Sequence, residues 1–169
     1  MGSNPTLSAN TEALVGIVHE PAFQAMDEDP DDYRPGSTWA LSVDPDGQAA
    51  FGVIHERIGV GDRIPRHWHD VDEVVLYEGG RARVHLDGVD VEVSAGATVF
   101  IPAGAIHGAL NTGDRPVEVR AVFPTTRVRM DAIERNPAPE TEAEPPMATT
   151  YDFTTGTATV HGPTRPAGE

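Results

Sequence analysis

Between residues 36 and 124 the chain is a succession of short segments rich in Val, Ile and Phe, each closed by turn residues. They are Thr38–Val43, Ala50–Gly59, Glu73–Tyr77, Ala82–Leu86, Val89–Val93, Thr98–Ile101 and Val117–Phe123. Segments this short do not sustain the 3.6-residue period of a helix, but they suit strands. Asp87-Gly88 lies between two alternating stretches, a strong signal for a two-residue hairpin turn. Many closely spaced strands with turn punctuation predict an all-β sandwich or barrel. No internal repeat and no helical pattern interrupts them.

The flanks differ in character. Residues 1–35 form a polar, acidic N-terminal arm, in which Ala13–Val18 reads as a short strand. Within it, Asp27-Glu28-Asp29-Pro30-Asp31-Asp32 reads as a solvated loop, the usual state of a charge block. Residues 125–169 form a C-terminal arm with a short helix over Arg127–Asn136. A Pro/Glu-rich extended tail follows. Tyr151 and Phe153 are apolar anchors in that tail. An arm that cannot bury such groups alone docks them on the barrel or on a neighbour, so a homodimer is expected.

Charge excludes several partners. The chain has 27 Asp+Glu against 12 Lys+Arg, a net charge of −15, and every basic residue is Arg. Such a surface repels phosphate backbones and anionic membranes, so neither nucleic acid nor membrane is expected as a partner. Without Lys there is no Schiff-base chemistry, and without Cys there is no thiol nucleophile or thiolate ligand. No apolar run approaches the ~20 residues of a membrane span. No basic stretch leads into an apolar one at the N-terminus, so a cytoplasmic protein is expected.

The chemistry gathers in Gly61-Asp-Arg-Ile-Pro-Arg-His67-Trp-His69-Asp-Val-Asp-Glu73. In a strand, side chains at i and i+2 share a face, so His67 and His69 project together. A short turn then returns the chain and brings Glu73 back to the same spot. Two imidazoles and a carboxylate on one face form a set for a divalent transition metal. His107, just after Ile101-Pro102-Ala103-Gly104, offers a third imidazole. Trp68 lies between the two histidines and is expected to face away from the metal.

These residues resemble the cupin superfamily. Gly61, His67, His69, Glu73 and Gly80 fit its first motif, G-x5-H-x-H-x3-E-x6-G. Gly96, Pro102, Gly104, His107 and Asn111 fit the second, G-x5-P-x-G-x2-H-x3-N. The 15 residues between the motifs (81–95) resemble the spacing of small single-domain bacterial cupins. Many cupins carry an acidic residue where this chain has Ala97, a turn position. The resemblance implies an antiparallel cupin barrel (double-stranded β-helix, or jelly roll) over roughly 36–124, flanked by irregular N- and C-terminal arms. It also implies one divalent metal held by His67, His69, Glu73 and His107. Fe(II) leads the candidates, followed by Mn, Ni, Co and Zn. Asn111 is expected to be structural.

Four protein ligands leave positions open on a five- or six-coordinate ion, whereas a purely structural site is normally closed. The reading that follows is a metal-dependent cupin enzyme acting on a small organic substrate, first as a dioxygenase that also takes O2. The alternatives are a redox-neutral cyclase, isomerase, lyase or decarboxylase of secondary metabolism, and a non-enzymatic small-ligand-binding cupin. Glu73 is the candidate catalytic base. Tyr77, cofacial with Glu73, reads first as core packing, as buried aromatics usually are, and second as a candidate substrate contact; Phe100 is a candidate substrate contact also read as core beside Phe123. His55 and Arg57, two apart on one strand, are substrate contacts if their face points inward and surface residues otherwise. Arg81 and Arg83 read as solvated.

Overall fold

The computed structural model of the chain describes residues 19–164. Its strands are β1 (Gln24–Met26), β2 (Arg34–Ser42), β3 (Gly52–Ile58), β4 (Arg63–His69), β5 (Glu73–Gly79), β6 (Arg81–Leu86) and β7 (Val89–Ser94). They continue as β8 (Thr98–Ile101), β9 (His107–Asn111), β10 (Val117–Phe123), β11 (Arg127–Ala132), β12 (Met147–Asp152) and β13 (Thr157–Pro163). No helix occurs among the described residues, so none there is long and apolar enough to cross a membrane. The expected strand over Ala13–Val18 lies outside the described residues.

The strands form two sheets. One has six strands in the order β1-β2-β3-β10-β5-β8, and the other seven in the order β13-β12-β11-β4-β9-β6-β7. Every neighbouring pair is antiparallel, for example β3 with β10 and β4 with β9. The all-β reading therefore holds, and the expected segments fall on β2, β3, β5, β6, β7, β8 and β10.

Local chemistry sets the turns. Asp87 and Gly88 both take positive φ, 44° and 87°, and Leu86 pairs with Val89 across them. That is the backbone a two-residue primed hairpin turn requires. Gly61, Gly80, Gly96 and Gly104 of the two motifs also take positive φ. At Gly80 a Cβ would lie 2.7 Å from the Pro116 carbonyl and 2.9 Å from Val117 Cα, so no larger residue fits there. Asn111 is structural as expected. Its Nδ2 donates to the carbonyls of Ile58 and Arg115, and its Oδ1 accepts from the Gly113 N–H.

Two apolar clusters fill the space between the sheets. One gathers Ile58, Val75, Tyr77, Val84, Ile101 and Val117. The other gathers Leu41, Ile54, Phe123, Val128 and Phe153. Phe153 thus buries on its own barrel, as does most of Tyr151, whose ring packs edge-on against Trp39. These anchors supply no reason for a second subunit.

The C-terminal arm corrects one expectation. The segment beginning at Arg127 is not a helix but strand β11, paired with β4 on one side and β12 on the other. Val128 and Asp131 are buried on it. The sheet edge left open by β4 outweighs the weak helical tendency of a short segment, because pairing satisfies its backbone groups. The Pro-rich stretch 137–146 forms turns, after which the chain returns as the β12–β13 hairpin. The two arms also meet each other. Arg135, 8% exposed, donates to the carbonyls of Pro30, Thr141 and Glu144. Asn136 Nδ2 donates to Asp32 Oδ1. Asp32 therefore departs from the solvated-loop reading, while Asp27, Glu28 and Asp29 conform to it.

Candidate metal centre

His67 and His69 stand two apart near the end of β4, and both are buried. Glu73 opens β5 after the intervening turn, and His107 opens β9. His67 and His107 are direct partners across the β4–β9 pair. The loop before His107 is tied to the loop before Glu73. The Gly104 N–H donates to the His69 carbonyl at 2.7 Å, and the Ala103 N–H donates to Asp72 Oδ1 at 2.9 Å. Both motifs are thereby locked together at one end of the barrel.

The four side chains converge. One ligand atom from each lies within 4.8 Å of all the others. That is close to the ~4.2 Å separating opposite ligands on an ion with bonds of about 2.1 Å. Each imidazole is turned the same way. His67 Nδ1 contacts the Pro65 carbonyl at 2.7 Å, His69 Nδ1 the Arg129 carbonyl at 2.9 Å and His107 Nδ1 the Ala105 carbonyl at 2.9 Å. A carbonyl only accepts, so each Nδ1 carries a proton and each Nε2 is the atom left to face the centre. His107 Nε2 and Glu73 Oε2 approach to 2.7 Å, yet both atoms are buried without an aligned hydrogen bond. Buried polar atoms in that condition are costly unless something occupies the space between them. A divalent ion fits that requirement and this donor set.

Electrostatics agree. Burial, with the neighbouring His107 and His69, holds His67 well below its ordinary pKa. Burial likewise lowers His69, although Glu73 opposes the shift. Burial pushes Glu73 up, but its contacts with His107 and the charge of His69 outweigh this and hold it below the usual carboxylate range. For His107, burial is overcome by Glu73, which raises it. Two neutral imidazoles and an ionised carboxylate are the protonation states a metal needs.

A cavity of about 140 Å³ opens from these ligands into the barrel. Val75, Tyr77, Val84, Ile101, Val119 and Phe123 line it, and it reaches toward the edge strands β1 and β13 through Met26 and Val160. Tyr77 lines the cavity and at the same time packs in the apolar cluster with Val75 and Val117. Trp68, though buried, does not line the cavity.

For His55 and Arg57 the surface alternative holds, and the readings of Phe100 are corrected. His55 and Arg57 face outward. His55 contacts Ser42 Oγ at 2.9 Å, and Arg57 pairs with Glu118 and lies 4.9 Å over the Phe23 ring. Phe100 is 73% exposed on the outside of β8, neither core nor substrate contact. Strand alternation turns Val74 and Phe100 outward because Glu73, Val75 and Ile101 turn inward. Arg81 and Arg83 are exposed, as expected.

Among the lumen residues that the sequence reading did not single out, two matter most. Glu56, between the two residues singled out on β3, is the one that points inward, with Ile54 and Ile58. Its signal was an acid on the apolar face of an alternating strand. Arg34, 3% exposed, also lines the cavity, and no sequence signal distinguished it from a surface arginine.

Comparison with known proteins agrees with this geometry. The sequence profile of the cupin domain family matches residues 54–123. The tetracenomycin polyketide synthase protein TcmJ of Streptomyces glaucescens is 27% identical over 124 residues, 69% of this chain and 81% of TcmJ. Protein SchB of Streptomyces halstedii is 33% identical over 99 residues, 57% of this chain and 70% of SchB. Among solved structures, the polyketide cyclase RemF of Streptomyces resistomycificus superposes with a TM-score of 0.56 at 20% identity. The match covers 75% of this chain and 89% of RemF, and the likeness is one of fold.

Proposed function

The chain belongs to the cupin family, and from that premise we propose that it is a metal-dependent enzyme acting on a polyketide-type substrate by a redox-neutral ring closure. The observation that carries the metal reading is the common orientation of the three imidazoles, each Nδ1 held by a backbone carbonyl and each Nε2 turned to Glu73. The substrate class follows from TcmJ, whose name attaches it to a polyketide synthase. RemF, alike in fold, is a polyketide cyclase, which supports the reaction type by analogy alone.

A divalent ion held by His67, His69, Glu73 and His107 supplies a Lewis acid that polarises a carbonyl or enol oxygen. The chain's own residues do the rest. Val75, Ile101, Val119 and Phe123 exclude water. Tyr77 presents a phenol whose pKa is raised by burial and by Glu73 and Glu56, so it stays protonated and able to donate. The cavity volume is close to the ~150 Å³ that holds one benzene, so about one ring of the substrate reaches the centre.

A dioxygenase is the second reading, favoured by a His3Glu set that leaves coordination positions open. Metal content of the purified protein and oxygen uptake with dihydroxyaromatic and β-dicarbonyl probes separate the two. Zinc without oxygen uptake supports ring closure, whereas iron with stoichiometric uptake supports the dioxygenase. No bound metal after exposure to each candidate ion overturns both. Glu73→Gln tests the dual role of that residue: metal partly retained with turnover collapsed supports ligand and base together. If both are untouched, the centre is a three-His site.

The homodimer remains part of this proposal on a different footing. Phe100, Val74, Val122 and Val53 lie in one row across the outer face of the six-stranded sheet. Light scattering showing a stable 18.0 kDa particle at micromolar concentration would contradict it.

A further inference from the structure

Besides Glu73, the cavity is lined by Glu56, Asp29, Asp31, Asp32 and Glu134, and of these Glu56 is the one carried on strand β3. Glu56 projects inward from β3 between Ile54 and Ile58 and lines the same cavity as His67, His69, Glu73 and His107. A lone carboxylate on an apolar barrel wall is costly unless it is paired. Arg34 is its partner, with Nη1 donating to Glu56 Oε2 at 2.9 Å and Nη2 donating to Asp32 Oδ2 at 2.7 Å. Asp32 is held in turn by Asn136. The arrangement fixes one oxygen of Glu56 and leaves the other. Among the described residues, Glu56 Oε1 accepts no hydrogen bond, and Glu56 lines the cavity. Tyr77 lines the same cavity, and its phenol feels both Glu73 and Glu56.

Resting on the metal-centre reading above, we propose that Glu56 is a substrate-binding carboxylate, held by Arg34. Its Oε1 accepts a hydrogen bond from one hydroxyl of the substrate while another substrate oxygen sits at the metal centre. The substrate class is thereby narrowed. It carries two oxygens on one ring-sized unit, an acidic one for the metal centre and a second, separate one kept as O–H for Glu56. A ring bearing two phenolic or enolic oxygens has that pattern. A carboxylate at this position repels an anionic group and leaves a methyl ether without a bond, so it discriminates O–H from O–CH3.

The test uses the full chain loaded with zinc and two probes, resorcinol and 3-methoxyphenol, with binding measured by calorimetry. A hydrogen bond to a charged acceptor predicts that wild type binds resorcinol at least ~10-fold more tightly. Glu56→Gln should weaken resorcinol binding by about 10-fold and leave 3-methoxyphenol within about twofold. Equal affinity of wild type for the two probes, or an undiminished preference in Glu56→Gln, overturns the assignment. If Glu56→Gln does not fold, Glu56→Asp replaces it, keeping the charge beside Arg34 but withdrawing the oxygen. A preference that survives intact there also overturns the assignment. Metal content of the same samples separates the two readings. One zinc per chain with no preference sinks the role of Glu56 and spares the metal. A clear preference without bound zinc does the reverse.

Discussion

The two ends of the barrel lumen are ordered by different means. At the metal end, the groups that orient His67 and His107 are carbonyls only two residues away, Pro65 and Ala105. His69 reaches across to Arg129 on the neighbouring strand. At the mouth, order comes from distant segments. Arg34 reaches Glu56 on β3, Asn136 reaches Asp32 from the other arm, and Arg135 reaches Pro30. The first arrangement is local for two of its three imidazoles, while the third leans on β11, the first strand of the C-terminal arm. The second exists only once both arms have docked. Damage at the metal end should therefore remove the metal and spare the fold, whereas damage to the arms should loosen the fold and spare the metal.

The largest effect is expected at the metal end. His69→Ala or His107→Ala removes a donor atom from the cluster and leaves Glu73 buried beside a void. Metal analysis should find most of the ion lost, and turnover should fall by at least ~10³-fold. The metal-free variants should keep the β-rich circular dichroism of metal-free wild type. Retention of a full equivalent of metal by both variants would remove these residues from the ligand set.

Phe153→Ala tests the docking of the C-terminal arm on the barrel. Its ring is 1% exposed, stacks 6.2 Å from Phe123 and packs so closely on Gly52 that a Cβ there would collide with it. Truncation should cost about 3–5 kcal/mol. The fall in denaturant midpoint measures that loss, and the protein should still bind one metal per chain below its transition. If metal is lost in proportion to stability, the two ends are not independent. Because Phe123 also lies 5.0 Å from the His69 ring, this is the contact through which such coupling would run.

Acid should weaken the metal end first. In the metal-free protein His67 and His69 have folded pKa values below their ordinary ~6.5. The unfolded chain then takes up these protons more readily, so their neutral burial loses stability as pH falls below ~6.5. Glu73, also lowered, adds a loss as pH drops below its ordinary 4.5 and through its folded value. His107 is raised and acts oppositely, contributing stability below ~6.5 that is lost as pH rises through its folded value. Asp32 at the mouth is raised chiefly by burial, so acid relieves its cost. Saturation at 100 times Kd adds about 2.7 kcal/mol, or roughly 5–10 °C in Tm for a domain of this size. The gain in Tm on adding zinc should shrink between pH 7 and pH 5.5, because protons compete for the imidazoles. A gain independent of pH would point to carboxylate donors alone.

How legible each end was follows from the same distinction. The spacing of His67, His69 and Glu73 encodes their shared face, and Asp87-Gly88 encodes its hairpin, because both depend on neighbours in sequence. His107 entered through its motif, although its contact with His67 is a cross-strand one. Glu56 was missed because the choice between its face of β3 and that of His55 and Arg57 depends on which side the second sheet covers. Alternation gives two faces but not which one is covered. Strand β11 was missed for a related reason: its partners β4 and β12 flank it in space but lie 58 or more and 15 or more residues away. Arg34 carries no local signal at all, since its burial is imposed by Glu56 and Asp32.

The smallest predicted effect probes the seam between the arms. Asn136 Nδ2 donates to Asp32 Oδ1 at 2.8 Å and to the Arg63 carbonyl at 2.9 Å, while its Oδ1 accepts from Arg63 Nε at 2.8 Å. The backbones of residues 32 and 136 meet in an isolated parallel bridge beside it. Asn136→Ala removes the side-chain bonds and leaves that bridge. Each such bond contributes about 0.5–1.5 kcal/mol, and water replaces part of the loss at this partly exposed site, so a net cost of about 1–2 kcal/mol is expected. Asp32 also loses a donor, which loosens its grip on Arg34 and hence on Glu56. Amide exchange should therefore quicken at residues 32–34 and 135–136 more than at 67–73, with metal stoichiometry unchanged. Equal quickening at 67–73 would mean that the seam supports the metal end as well, and that the order of both ends depends on the arms.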